Sequence, residues 1–311
     1  EPTHAGRDAI LAHRVIYATG DADVAYRAGA PTLKTPVEER QAASVMFHLA
    51  GVDKKAFMAG VENDPQTYND WSIGEWEIET DGKEDELFSP FLGKPFERAI
   101  RDGVIPAHLN TICGTWGAVH DSGELTYMNL IQQAGCDGTD PDSMTRFEIE
   151  GRRQAVHAID ALRHYTPGCE GARLRNFGMS IGIRDTRKLD AVYNLTEADV
   201  RKEGRFEDTI GIYPEFIDGY GLLILPTTGR YMHIPYRSLL PKAVKNLIVA
   251  GRAIGGDRIA HAATRNMSCC AVVGQGAGVA AALSVKNGCR LDDVDVTSVQ
   301  KVLETQGVRI R

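Results

Sequence analysis

The apolar positions of the chain fall into blocks of different period. Arg14-Val-Ile-Tyr-Ala18 and Asn246-Leu-Ile-Val-Ala250 are short apolar runs without polar alternation. The first ends at Thr19-Gly20-Asp21, the second in a Gly-rich loop from Gly251 to Asp257. Such runs predict strands buried on both faces, as in a parallel sheet. From Glu38 to Val61 the spacing predicts a helix, with Ala42, Val45, Met46 and Leu49 on one face and Gly51 as its breaker. A short helix is expected from Phe96 to Arg101, ended by Gly103, and a strand with hairpin over 114–130 around Asp121-Ser-Gly123. Thr145 and Glu148 have capping-box spacing and predict a helix with Ile149, Val156, Ile159 and Leu162 on one face, stopped by Pro167-Gly168. Thr196 and Asp199 repeat that signature. A hairpin around Thr228-Gly229, one long small-residue helix from Ala260 to Lys286, and an amphipathic helix led by Asp295 complete the pattern. Pro65 to Asp85, with Trp71 and Trp76, reads as loop and short strands.

Only two segments have the buried-parallel character, and they lie far apart in the chain. A doubly wound sheet needs more strands than two. The simplest account is that these are two strands of a nucleotide-binding sheet whose other strands are not in this chain.

Composition narrows the classes. Of 311 residues, 43% are hydrophobic and 25% charged, the balance of an ordinary globular protein rather than a disordered one. A net charge of −7, with no Lys/Arg run longer than two, argues against a nucleic-acid groove. The apolar run Cys269 to Leu283 is shorter than a membrane span and is interrupted by Gly and Gln, so no span is expected. The six cysteines lack C-x-x-C and zinc spacing, so no metal site is expected; free thiols in a reducing, cytoplasmic compartment fit best. Asp137 to Asp142 lacks EF-hand spacing and reads as a solvated turn. The chain opens on Glu1 rather than Met and is expected to be a fragment or a processed chain.

Several motifs together resemble the FAD-dependent oxidoreductase family, of the glutathione-reductase/succinate-dehydrogenase flavoprotein class. They are Val15-Ile-Tyr-Ala-Thr-Gly20, Gly182-Ile-Arg-Asp-Thr-Arg187, Leu195 to Val200, Ile234-Pro-Tyr-Arg237, Leu240-Pro241, Asn246 to Arg252, Arg265 and Gly274 to Ala281. The resemblance implies an α/β fold with an α+β cap: a partial two-dinucleotide-binding-fold FAD domain (residues 1–35 and 226–311) with an inserted substrate or cap domain (36–225). It implies hydride transfer between a small organic substrate and flavin N5. Such proteins begin with a strand and a G-x-G-x-x-G turn that holds the ADP diphosphate. This chain has neither before Val15, so a missing N-terminal segment or a partner chain is expected to supply them.

The cofactor-binding candidates are Thr19 and Gly20 at the end of the first strand, then Gly251 and Arg252, and Asp257 for a ribityl hydroxyl. Gly274, Gln275 and Gly276 would present backbone N–H groups to the reduced flavin if a helix starts there. Arg184 and Arg265, with Arg187 behind them, suit a carboxylate or carbonyl, which points to an anionic substrate; a structural salt bridge is the plain alternative. His233 and His261 are candidate proton carriers, though hydrogen-bonded structural histidines are commoner. Tyr236 and Arg237 either shape the flavin face or pack. Two alternatives remain: a non-catalytic subunit that completes another chain's flavin site, and a serine hydrolase using Gly178-Met-Ser-Ile-Gly182, whose flanks do not form a nucleophile elbow.

Overall fold

A computed structural model describes residues 2–3, 6–7, 9–64, 77–79, 91–220, 222–224, 226 and 229–311. Trp71 and Trp76 lie outside them. The chain forms two compact units, Glu1–Lys34 with Arg187–Arg311, and Thr35–Thr186. The inserted unit therefore closes at Thr186, not at residue 225. Residues 187–225 belong with the first unit because their strands pair and pack there.

Unit 1 begins with the short antiparallel strands β1 (Pro2–Thr3) and β2 (Gly6–Arg7), followed by β3 (Val15–Tyr17), helix α1 (Asp23–Arg27) and β4 (Thr32–Lys34).

Unit 2 starts with β5 (Ala43–Ala50), where the apolar spacing predicted a helix. The same residues also alternate with period two. Val45, Phe47 and Leu49 are buried, while Met46 and His48 between them are only half-buried. Pairing on both sides, with partners far away in sequence, settles the choice. The helix α2 (Lys54–Asn63) begins after Gly51, where the Asp53 carboxylate accepts from Ala56 N (3.0 Å). Next come β6 (Glu77–Glu79), β7 (Phe91–Leu92), α3 (Lys94–Arg101), β8 (Gly114–Thr115), β9 (Leu125–Gln133), α4 (Pro141–Tyr165) and β10 (Arg173–Phe177). The antiparallel sheet has the order β10-β5-β9-β8-β7. One face of it carries the core of Phe47, Leu49, Leu130, Ile159 and Leu162 beneath α4.

The helix α4 opens four residues before the predicted capping box. Asp140 caps it by accepting from Asp142 N (3.1 Å), and Pro141 occupies the first turn, where no N–H is needed. Its buried face runs through Ala155, Ala158, Ile159 and Leu162, whereas Ile149 and Val156 are exposed.

Back in unit 1, β11 (Arg187–Leu189) pairs with β4. The helix α5 (Glu197–Arg201) has the expected capping box of Thr196 and Asp199. The strands β12 (Thr209–Pro214), β13 (Ile217–Gly219), β14 (Leu222–Ile224) and β15 (Tyr231–Pro235) pair as β12 with β15 and β13 with β14. The strands expected to flank Thr228-Gly229 thus pair elsewhere.

The strand β16 (Leu247–Val249) runs parallel to β3, with Leu247 opposite Val15 and Val249 opposite Tyr17. The shared-sheet expectation is met at the level of register. β16 is fully buried, but Val15 and Ile16 of β3 are exposed. The predicted long helix is two, α6 (Arg258–Thr264) and α7 (Met267–Lys286), broken at Arg265-Asn266. α7 is long and apolar enough to cross a membrane by length and composition. Here its Val273, Ala277 and Ala280 pack into the unit 1 core with Ile210 and with Leu303 of α8 (Val296–Thr305).

Candidate functional site

Ligands of open parallel sheets bind beyond the carboxyl ends of the strands. In unit 1 those ends are Ala18–Asp21 after β3 and Ala250–Ala253 after β16. Ala250 N donates to Tyr17 O (2.7 Å), so the two turns lie side by side. The Arg252 guanidinium spans them and donates from Nη2 to the buried Asp21 carboxylate (2.8 Å).

Gly20 is the residue best suited to this turn. Its φ is 104°, and a Cβ there would come within 2.5 Å of Arg252 Cζ. Thr19 donates its hydroxyl to Tyr17 Oη, which also accepts from Asp23 N (2.5 Å). Arg187 braces the same turn. Its Nε donates to Asp21 O (2.9 Å), it pairs with Asp23, and it stacks over the Tyr26 ring at 4.3 Å. Arg187 thus braces the turn, with Asp23 as its acid.

Arg265 follows the last residue of α6, and its Nη2 donates to both the backbone and the carboxylate of Asp218 (3.2 Å for Oδ2). One residue on, α7 begins. Asn266 makes no side-chain cap there, so the first-turn N–H groups of α7 lack that partner. Arg252 and Arg265 meet electrostatically at the Cys270 thiol. Burial raises its pKa, and the two arginines pull against that rise. Nε of Arg252 and Nε of Arg265 are both buried without a hydrogen-bond partner. Buried donors of this kind are exceptions in native structures. Two such guanidinium groups beside an uncapped 20-residue helix suit an anionic group. The donor set therefore fits the phosphate or reduced-flavin parts of a dinucleotide.

Other candidates lie elsewhere. Gly274, Gln275 and Gly276 sit inside α7, so their N–H groups are in the helix ladder and its positive end is at Met267. Gly276 instead permits close packing, since a Cβ would lie 2.5 Å from Ile210 Cδ1. Gln275 Nε2 donates to Gln306 Oε1 (2.8 Å). Asp257 caps α6 through Ala260 N (2.8 Å) and accepts from Glu197 N (2.7 Å), so both its oxygens are engaged. Gly251 has a φ of 73° and open space beside it.

His233 is buried in β15. Phe206 N donates to its Nδ1 (3.0 Å), and burial lowers its pKa below the ordinary histidine value. None of the strand-end residues touches it in these bonds. His261 is buried on α6. Tyr236 donates its hydroxyl to Leu291 O (2.8 Å), and Arg237 lies over the Tyr193 ring at 4.7 Å and 3.9 Å from the Asp208 carboxylate. Arg184 belongs to unit 2, where its guanidinium donates to Ala42 O, Gln132 Oε1 (3.4 Å) and Asn129 Oδ1 (3.3 Å). Ser180 is exposed, and no helix follows it before β11, so the nucleophile elbow is absent.

Asp21 and Asp218 are the functional-site residues that spacing missed. Asp21 carried a signal, an acid directly after the strand-ending glycine. Asp218 carried none, because only tertiary packing brings β13 to Arg265.

No curated protein and no solved structure matches the chain. The model of the FAD dependent oxidoreductase family matches residues 2–303. That span takes in all of unit 2, most of unit 1 and every strand-end residue described above. The protein is accordingly FAD-dependent and belongs to the FAD dependent oxidoreductase family.

Proposed function

We propose that this protein transfers a hydride between a small anionic organic substrate and FAD, with unit 1 holding the cofactor and unit 2 acting as the cap that selects the substrate. The observation carrying this reading is the pair of buried guanidinium Nε atoms without a hydrogen-bond partner, that of Arg252 at the carboxyl ends of β3 and β16 and that of Arg265 just before α7. The bound flavin supplies the hydride chemistry at N5. The chain's own residues bind and orient. Gly20 and Gly251 leave the backbone open to close approach. Arg252, fixed by Asp21, and the first-turn N–H groups of α7 hold anionic groups of the cofactor. Arg265 steadies developing negative charge, and His261 on the preceding helix is the proton carrier.

We assign the ADP-binding turn to a further segment or a partner chain. Two features support that assignment. β3 has no partner strand besides β16 among the described residues, and Val15 and Ile16 are exposed on it. The chain purified alone is expected to be colourless. Co-expression with the coding sequence upstream of Glu1 is expected to give bound flavin, seen by its visible absorbance. Stoichiometric FAD on the chain alone would refute the divided site, and no flavin under either condition would refute the reading as a whole.

A further inference from the structure

We propose that unit 2 carries a binding site for a medium-chain carboxylate with a hydroxyl or carbonyl group at the far end of its chain. The site is a cavity of about 400 Å³ between α2, the first turns of α3 and the end of α4. That volume lies within the range of small-molecule pockets, about 300–1,000 Å³. Its walls come from unit 2 alone, and none of the residues assigned to the cofactor lies in them.

Three observations define its chemistry. The first is an apolar wall. Ala56 and Ala59 of α2, Pro95 in the first turn of α3 and Pro167 just after α4 all line the cavity. Alanine leaves room, and the two prolines bring no backbone N–H. Gly60 lets the wall close, because a Cβ there would already stand 3.1 Å from Pro167 Cγ. Such a surface suits a methylene chain and offers it nothing polar.

The second is an arginine prepared for an anion. The Arg98 guanidinium lies over the Tyr165 ring at 5.1 Å, and that ring is fixed by its hydroxyl, which donates to Asp102 Oδ2 (2.8 Å). The nearby acids are engaged. Asp64 accepts from Lys94 Nζ through both oxygens (2.8 and 3.0 Å), and Asp102 also accepts from Arg101 Nε (3.3 Å). Arg98 itself makes no side-chain hydrogen bond or ion pair among the described residues. A guanidinium stacked on a ring keeps its edge N–H groups for a carboxylate, and it binds both oxygens at once.

The third is a buried hydroxyl without a partner. Thr166 lines the cavity and is only 3% exposed, and its Oγ1 makes no hydrogen bond. Buried polar atoms of this kind are exceptions in native structures. Thr166 directly follows the last residue of α4, whose negative end disfavours an anion there. The two polar groups therefore divide the ligand between them. The carboxylate belongs on Arg98, which is exposed, and an uncharged hydroxyl or carbonyl belongs at Thr166.

The probe is ω-hydroxyoctanoate, titrated by calorimetry into the full chain. The α,ω-octanediol is the control without charge, and octanoate is the control without the distal hydroxyl. ω-Hydroxyoctanoate is expected to bind one to one, about tenfold tighter than the diol and about threefold tighter than octanoate. Arg98→Gln is expected to erase the preference over the diol, and Thr166→Val the preference over octanoate, each leaving the other preference in place. Arg98 is exposed and valine copies the shape of threonine, so both variants are expected to fold. Absence of binding, equal binding of either control, or survival of either preference in its variant would overturn the proposal. The heat of binding is read without flavin, so the outcome is independent of the flavin reading, which is judged by visible absorbance.

Discussion

Replacing Gly20 with alanine tests how the strand-end turn is held. Gly20 has a φ of 104°, and an added Cβ would stand 2.5 Å from both Cζ and Nη1 of Arg252. The backbone term alone costs about 1–2 kcal/mol for an L-residue with positive φ. Something must also move, and the guanidinium is the nearest group. Moving it breaks its bond to Asp21, which is only 6% exposed. Stripping one partner from a buried pair costs about 3–5 kcal/mol, and partial exposure of Arg252 brings that down to about 2 kcal/mol. Gly20→Ala should therefore cost about 3–4 kcal/mol in urea unfolding.

The diagnostic is a double-mutant cycle with Arg252→Ala. That single change loses the same ion pair, about 2 kcal/mol, without any clash. With Arg252 already truncated, Gly20→Ala should cost only its backbone term. The double variant is then expected to be no less stable than Gly20→Ala alone, a coupling of about 2 kcal/mol. Simple additivity of the two single effects would refute the claim that Arg252 fills the space over Gly20.

The glycines of α7 should separate by position. Gly276→Val should cost about 1–3 kcal/mol by overpacking against Ile210, while Gly274→Ala, with nothing within 4 Å, should gain about 0.5–1 kcal/mol, both read from thermal unfolding. His233 has its pKa lowered by burial, so between that value and the ordinary 6.5 the unfolded chain binds the extra proton. Stability should fall as pH drops below about 6.5, and His233→Gln should flatten that part of a Tm-against-pH curve. Ser180→Ala should leave flavin-dependent turnover unchanged, and a fluorophosphonate adduct on Ser180 would contradict the absence of an elbow.

What could be read in the sequence was local. The runs at Val15–Tyr17 and Leu247–Val249 announced themselves as strands because unbroken apolar β-type residues bounded by glycine have few other uses. The capping box at Thr196 and the cap at Asp295 were legible because capping involves neighbours three residues apart. Motif resemblance joined the two distant strands and pointed to FAD, which local spacing could not do.

Tertiary structure decided the rest. Ala43–Ala50 carries helical and strand periodicity at once, and only pairing with β9 and β10 selects the strand. The break at Arg265-Asn266 is hidden in a run of small residues, so a single helix from Ala260 to Lys286 is what the spacing predicts, and the positive end at Met267 is visible only in the fold. Arg265 and Asp218, and likewise Arg184 and Asn129, are 47 and 55 positions apart. No periodicity spans such distances. Which arginine braces a turn, as Arg187 does, and which keeps a buried donor unpaired, as Arg252 and Arg265 do, depends on the groups that folding brings beside each one.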